Sequence, residues 1–359
     1  MAAKTPRRRP PVAPKRRRWL LPLILFLASF VPVLAVYYCL FAPLDIAPAG
    51  YRLEIPRGQS LYQLSNRMAA DGLLPNALLA RAWVKFHPNL MSKLRPGIYL
   101  VQGPLSTVQL LQKLGSLEPV NRLTVVEGTT FHALLAALEQ RQDLEHDLAG
   151  KSDSDIMSSM GLHETYPEGL FAPNTYDIAP GDTDSFTLRR LYQRQQKILD
   201  QAWAERAPDL PYRNAYEALI MASIIEKETG SASERAQIAG VFVRRLRTSM
   251  RLQTDPTVIY GLGQAYDGHL TRADLQTPTP YNTYVIDGLP PTPIALPGQA
   301  AITAALHPAD GNAFYFVARG DGTHQFSATL QEQNEAVRQY QLHRVDGYHS
   351  APASSSGTP

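Results

Sequence analysis

The sequence predicts an α+β protein with an N-terminal transmembrane helix, a small mixed domain and a larger helix-rich domain with short strands. Three observations lead to this prediction. An uncharged, mostly apolar run occupies residues 19–42. A pattern of strand, helix, helix and strand follows between residues 53 and 100. Helix-forming patterns then dominate residues 184–248, and short apolar runs typical of strands lie on either side of them, at 124–126 and 314–318.

The composition is that of a chain able to form one or two ordinary globular cores. Its 359 residues are 44% hydrophobic and 19% charged. There are 35 Lys and Arg against 32 Asp and Glu, but eight of the bases precede residue 19. The rest of the chain therefore carries a net negative charge. It lacks the basic surface typical of nucleic-acid binding, and we expect no nucleic-acid partner.

The apolar run at residues 19–42 predicts a transmembrane helix, because about 20 apolar residues span a bilayer core. Basic residues precede the run and Asp45 follows it. This asymmetry predicts that the basic tail, 1–18, is cytoplasmic and that everything after about residue 43 is exported. A cleaved signal peptide is the alternative, but its apolar region would be only ~7–15 residues long. Cys39 is the single cysteine, so an intramolecular disulfide is excluded.

The small domain is predicted over residues 43–119. Ser60 is placed to cap its first helix. The predicted elements are a strand at 53–55, helices at 61–70, 75–86 and 107–114, and a turn and strand at 95–100. Residues 55–64, Ile-Pro-Arg-Gly-Gln-Ser-Leu-Tyr-Gln-Leu, with Asp71-Gly72-Leu73 after them, are similar to LysM-type glycan-binding modules. The alternative is a spacer domain without a ligand.

The larger domain is predicted over residues 120–342. Residues 167–176 and 290–294 are predicted loops, Asp255-Pro256 favours a turn, and His324 is expected in a loop. Strands are predicted at 124–126 and 314–318, and helices at 131–141, 184–206, 212–229, 232–248 and 300–306. The tail, 343–359, is rich in Ser, Pro and Ala and is predicted to be disordered.

The predicted helix at 212–229 carries the most informative chemistry. It is apolar nearly all round and ends in two carboxylates, Glu226 and Glu228. Burial disfavours the charged form of a carboxyl group and so raises its pKa, and the negative pole at the helix C-terminus acts in the same direction. An acid still protonated near neutral pH is what an enzyme needs to protonate a glycosidic oxygen. Periodicity alone does not choose between the two glutamates.

The sequence lacks the common motifs for phosphate binding, nucleophilic catalysis and zinc binding. The chain has no Gly-x-x-x-x-Gly-Lys phosphate loop, no Gly-x-Ser-x-Gly nucleophile elbow and no His-Glu-x-x-His zinc helix. Its nine histidines show no ligand spacing. The sequence therefore predicts neither a cofactor nor a metal.

Several motifs in one order resemble the endolytic murein transglycosylases of bacteria over most of residues 120–342. The matching stretches are Ala222–Gly230, Ile238–Phe242 with Arg245-Leu246, Leu252–Gly261, Tyr281–Tyr284, Gly288–Pro291 and His324–Phe326. The N-terminal anchor and the LysM-like domain also fit the architecture of that family.

The resemblance implies a membrane-bound enzyme that cuts nascent peptidoglycan strands between N-acetylmuramic acid (MurNAc) and N-acetylglucosamine (GlcNAc). In that family the C6 hydroxyl of MurNAc attacks its own anomeric carbon and leaves a 1,6-anhydro end, which would terminate strand elongation. The family's catalytic glutamate is the first of the Glu-Lys-Glu pair, and this implies Glu226. The implied partners are glycan strands and cell-wall synthesis enzymes. The implied location is the inner membrane, with the catalytic domain in the periplasm.

The remaining candidate residues are polar or aromatic side chains suited to N-acetyl sugars. The substrate-binding candidates are Glu168, Tyr176, Glu228, Thr254, Asp255, Tyr260, Asn282, Tyr284 and His324. Each has a structural alternative: Asn282, for example, could hold a loop. The chain departs from the family at Thr292, Leu296 and Gln333, where Gly, Asn and His are common.

Two other functions remain open at this point. One is a non-catalytic cell-wall-binding protein that kept the fold, although the intact Glu-Lys-Glu-Thr segment disfavours it. The other is a hydrolytic muramidase, which would need a second carboxylate about 5–9 Å from the first.

Overall fold

The computed structural model describes residues 20–48, 50–90, 95–162 and 166–342. The chain divides into two compact units, Met1–Asn121 and Arg122–Pro359. The predicted basic tail, 1–18, and the predicted disordered tail, 343–359, lie outside the described residues.

The first unit is a small α+β structure around one two-stranded antiparallel sheet. Its elements are α1 (Leu20–Phe41), β1 (Tyr51–Ile55), α2 (Leu61–Ala70), α3 (Ala77–Phe86), β2 (Gly97–Val101) and α4 (Thr107–Leu114). Leu53 on β1 pairs with Tyr99 on β2, and both side chains are buried. Ser60 forms the predicted cap of α2 together with Gln63, so the predicted start of this helix is confirmed.

Helix α1 overlaps the predicted membrane span at 19–42. Residue 19 lies outside the described residues, and side chains are described only from residue 28. Within the described part of the chain, no helix meets the length and apolarity that a membrane crossing requires. The membrane anchor stays a prediction.

The second unit is helix-rich with two short antiparallel strand pairs. Its elements are β3 (Arg122–Val125), α5 (Phe131–Glu139), α6 (Asp153–Ser159), β4 (Asn174–Asp177), α7 (Asp184–Ala204), α8 (Ala215–Glu228), α9 (Arg235–Arg247), α10 (Asp255–Leu262), α11 (Arg272–Gln276), α12 (Gln299–Leu306), β5 (Tyr315–Ala318), β6 (His324–Ser327) and α13 (Leu330–Val337). Strand β3 pairs with β4, and β5 with β6. The predicted α+β class, with a helix-rich domain and short strands, is confirmed.

Helix α8 lies at the centre of this unit. Asn214 caps it by accepting a hydrogen bond from the Glu217 N–H, and all eight residues from Ala218 to Ile225 are buried. It packs against α12, α9, α7 and α10. A helix surrounded on all sides must be apolar all round. Glu226 and Glu228 lie in its C-terminal turn, where the apolar run ends.

Three loop predictions in this unit were wrong. Asn174–Asp177 forms strand β4, because its partner β3 lies about fifty residues earlier in the chain and local turn signals do not reveal it. Asp255 and Pro256 begin helix α10, since a proline in the first helical turn sacrifices no hydrogen bond. His324 is a buried residue of strand β6, not a loop residue.

Candidate active site

Glu226 is a buried carboxyl group with two polar contacts. Its side chain is only 4% exposed. Oε2 accepts a hydrogen bond of 2.8 Å from the Gly298 N–H, and Oε1 lies 3.5 Å from Nη2 of Arg235. Burial raises the pKa of Glu226 and nearby Glu127 raises it further, whereas the contacts with Gly298 and Arg235 oppose this.

Backbone contacts fix the segment that brings Gly298 to Glu226. The Ile294 N–H donates to Oγ of Ser223, which lies one turn before Glu226 on α8, at 3.0 Å. Leu296 exchanges two backbone hydrogen bonds with the turn between β3 and α5: its carbonyl accepts from Gly128 and its N–H donates to Thr129. Hydrogen bonds to α8 and to the turn between β3 and α5 thus hold residues 294–298 next to the carboxyl group of Glu226.

Arg235 and Glu127 complete the surroundings of Glu226. Arg235 begins α9 and is 13% exposed, and its Nη2 lies 3.9 Å from Oε2 of Glu127. Glu127 lies in the turn between β3 and α5, and its side chain is 48% exposed. Neither residue is among the candidates that the sequence predicts. Both come from other elements than α8, and no local pattern links them to Glu226.

Glu228 points into different surroundings. It accepts a hydrogen bond from the hydroxyl of Thr254, which is the N-cap of α10. Burial raises the pKa of Glu228 to about 7, with the Thr254 contact lowering it and Asp255 raising it. The Thr254 N–H donates to Oγ1 of Thr283 at 3.1 Å. Glu228 and Thr254, both substrate-binding candidates, are thus brought together and contact each other.

Asp255, Asn282 and Tyr284 form a second polar group beside Thr254. The Tyr284 hydroxyl donates to Oδ1 of Asp255 at 2.6 Å. Asn282 is fully buried, and its Oδ1 accepts from the Tyr284 N–H at 2.9 Å. The Asn282 amide also donates to three backbone carbonyls, those of Asp274, Leu275 and Thr277. Its polar atoms are occupied by contacts with α11, with Thr277 and with its own loop, which favours the structural alternative for this residue.

Glu168 and Tyr260 form a third polar group, at the start of α5. Glu168 is 4% exposed and accepts hydrogen bonds from the Phe131 N–H at 3.0 Å and the Tyr260 hydroxyl at 3.2 Å. Burial raises the pKa of Glu168 to about 7, although these hydrogen bonds lower it. Tyr176 is separate from this group: it is buried in the core, and its hydroxyl donates to the Ala172 carbonyl at 2.7 Å.

His324 is paired with Glu234, a residue that the sequence analysis missed. Nδ1 of His324 lies 2.8 Å from Oε2 of Glu234, and the His324 N–H donates to Oε1 at 2.8 Å. Glu234 directly precedes Arg235. His324 therefore secures the start of α9, from which Arg235 reaches Glu226.

The three departures from the family pattern have local structural partners. The Thr292 hydroxyl lies 2.8 Å from that of Tyr281, and Nε2 of Gln333 donates to the Phe316 carbonyl at 3.0 Å. Leu296 contributes to the site through its backbone alone, so the site does not depend on a polar side chain there.

The chain is similar to a known family and to named relatives over most of its length. Residues 53–339 match the YceG-like family. The chain is 28% identical to an endolytic murein transglycosylase of Bacillus subtilis (strain 168), over 80% of this chain and 84% of that protein. It is 26% identical to an endolytic murein transglycosylase of Streptococcus pneumoniae, over 82% of this chain and 59% of that protein.

A solved structure supports the same assignment. The crystal structure of a YceG-like protein from Listeria monocytogenes matches with a TM-score of 0.50 and 29% sequence identity. The match covers 80% of this chain and 99% of the Listeria chain. Since the family pattern covers most of the chain, the protein belongs to the YceG-like family.

Proposed function

We propose that this protein is an endolytic murein transglycosylase. It cleaves the MurNAc–GlcNAc bond of nascent glycan strands without water, leaves 1,6-anhydro-MurNAc ends and so terminates strand elongation. The observation that carries this proposal is the position of Glu226 at the end of a buried helix. Burial raises the pKa of this carboxyl group. The names of the relatives from Bacillus and Streptococcus support the same activity.

In the first step Glu226 acts as a general acid. Because its pKa is raised, Glu226 keeps a proton to donate. It gives this proton to the glycosidic oxygen as the bond between that oxygen and C1 of MurNAc breaks. The proton and the electron pair of the broken bond go to the leaving GlcNAc hydroxyl. Glu226 is then a carboxylate, and the Gly298 N–H and Arg235 stabilise its charge.

In the second step the same group acts as a base. The MurNAc C6 hydroxyl forms the new bond to C1 and gives its proton to Glu226, which restores the acid. Because the substrate supplies its own nucleophile, the reaction needs no activated water and no second carboxylate. The two fixed contacts of Glu226 keep the carboxyl oriented through both steps.

The proposal includes an inner-membrane location, with residues 1–18 in the cytoplasm and the catalytic unit in the periplasm. The basic residues before position 19 and the apolar run after them support this arrangement. We propose further that the LysM-like region, 43–119, contacts glycan and that cell-wall synthesis enzymes are partners.

The test is mass spectrometry of peptidoglycan strands treated with detergent-solubilised full-length protein or its Glu226→Gln variant. New 1,6-anhydro-muramyl ends from the wild-type protein alone are the expected result. Hydrolysis is a second candidate because Glu127 places another carboxylate beside Arg235. Reducing ends would indicate that reaction, and no cleavage by the folded protein would favour a binding function.

A further inference from the structure

Glu226 and Glu127 contact the same atom of one guanidinium group. Nη2 of Arg235 lies 3.5 Å from Oε1 of Glu226 and 3.9 Å from Oε2 of Glu127. Nε of Arg235 is buried and has no hydrogen-bond partner among the described residues. The two carboxylates are therefore the ionic contacts that the structure gives to this guanidinium.

Gly298 provides the space that Glu127 occupies. Its backbone is extended, with φ of −74°, so no unusual conformation calls for glycine at this position. A Cβ atom at position 298 would clash with Oε1 of Glu127. Gly298 thus has two effects. Its N–H binds Glu226, and the absence of a side chain leaves room for the Glu127 carboxylate.

The other charged groups near the end of α8 are engaged elsewhere. Lys227 is exposed, and its Nζ lies 3.4 Å from the Gly128 carbonyl. Glu234 of α9 is paired with His324, and Glu228 faces Thr254. Among the described residues, the charges that act on Glu226 are therefore Glu127, from the turn after β3, and Arg235, from α9.

We propose that Glu127 is a positioning residue for the reaction: it shares Arg235 with Glu226, so that Arg235 orients the catalytic carboxyl without holding it as a full ion pair. This inference rests on the proposed function. An unshared arginine would favour the ionised form of Glu226, which cannot donate a proton. A site with no arginine would leave the carboxyl without its second contact. Because Glu127 shares Arg235, Glu226 can remain protonated for the first step, and Arg235 still stabilises its carboxylate for the second step.

The test is the pH dependence of kcat/KM for strand cleavage by the full-length protein, from about pH 5 to pH 9. The variants are Glu127→Gln, Arg235→Met, Arg235→Lys and the double variant Glu127→Gln/Arg235→Met. Glu205→Gln is the matched control, because it removes an exposed carboxylate at the end of α7.

Opposite shifts are the expected result. Glu127→Gln removes the negative charge that shares Arg235, which favours the ionised form of Glu226. The alkaline limb of the kcat/KM profile should therefore move to lower pH by about 0.5 to 1 pH unit. The shift is modest because Glu127 is half exposed. Arg235→Met should move it to higher pH, and the double variant should return it towards the wild-type position. Arg235→Lys keeps the positive charge and should move it less than Arg235→Met does, and Glu205→Gln should leave it unchanged.

A further variant leaves every charge in place. Gly298→Ala retains the N–H that binds Glu226 but displaces the Glu127 carboxylate. It should reproduce part of the shift seen with Glu127→Gln. Agreement between the two would tie the effect to the position of Glu127 and not to net charge.

Two results would overturn the inference. An alkaline limb at the same pH in wild type and Glu127→Gln would mean that Glu127 does not act on Glu226. Loss of cleavage at every pH in folded Glu127→Gln would make Glu127 a base or nucleophile. Absence of cleavage by the wild-type protein would instead contradict the proposed function, so the two failures are distinguishable.

Discussion

Glu226 and Glu228 lie two residues apart on α8, and the helix carries them to opposite sides. Glu226 meets a backbone N–H and an arginine that it shares with a half-exposed carboxylate. Glu228 meets a threonine hydroxyl at the start of α10, inside a set of contacts that join α8, α10 and the 282–284 loop. One short motif thus supplies two carboxyl groups in different surroundings, and we propose a catalytic role for Glu226 alone. Burial does not distinguish the two, because it raises the pKa of both.

The largest effect should come from removing the acid. Glu226→Gln keeps the size of the side chain but has no proton to donate, so kcat for strand cleavage should fall about 10²- to 10⁴-fold. Glu228→Gln should reduce it far less. The measurement is the rate of 1,6-anhydro end formation, with thermal unfolding as a control for folding. An equal loss in both variants would show that Glu226 and Glu228 contribute equally to cleavage.

The next effect concerns stability on the Glu228 side. Burial raises the pKa of Glu228 from 4.5 to about 7, so the folded protein binds a proton that the unfolded chain has lost. The contribution of Glu228 to stability should therefore decline as the pH rises from about 4.5 to 7. Glu228→Gln removes this penalty. Its free energy of unfolding should exceed that of the wild type by on the order of 3 kcal/mol at pH 8, and show no such gain at pH 4.

Urea unfolding of both proteins at the two pH values measures this difference. Glu168 also has a pKa of about 7, but it is present in both proteins and its contribution cancels. A stability difference that does not change with pH would show that Glu228 ionises in the folded state as readily as in the unfolded chain.

A smaller loss is expected at Asn282. Asn282→Ala removes the donor to three backbone carbonyls at the end of α11 and the acceptor for the Tyr284 N–H. Buried polar groups left unpaired cost about 1–3 kcal/mol, and we expect a loss of stability in that range. Asn312→Ala changes an exposed asparagine and serves as the control. Full stability with a raised KM would instead assign Asn282 to substrate binding.

The smallest effect should come from single hydroxyl groups. Tyr260→Phe removes the hydrogen bond to Glu168, and Tyr284→Phe removes that to Asp255. Each should lower the free energy of unfolding by about 1 kcal/mol. Cleavage kinetics of the folded variants then distinguish structure from substrate binding, since a tenfold rise in KM for either variant would place that tyrosine in the substrate groove.

The sequence was informative where its signals were local. The apolar helix ending in Glu226 and Glu228 follows from composition and periodicity, and the cap at Ser60 from a short motif. Helix α10 was missed because Asp255-Pro256 also fits a turn. The two oxygens of Glu226 have partners that no pattern reveals: Gly298 is 72 residues away along the chain. Charge sharing with Glu127 depends on tertiary packing, so only the structure shows it.

The hydrogen bond from Gly298 to Glu226 has a consequence for mutational scanning. The donor is a main-chain amide, so most substitutions at position 298 leave it in place and report only crowding against Glu127. Proline is the exception: it deletes the amide hydrogen, and the φ of −74° already suits its ring. Alanine at position 298 therefore tests crowding against Glu127 alone, whereas proline adds the loss of the amide donor. The difference between the two variants isolates the hydrogen bond to Glu226, which an alanine scan alone would leave untested.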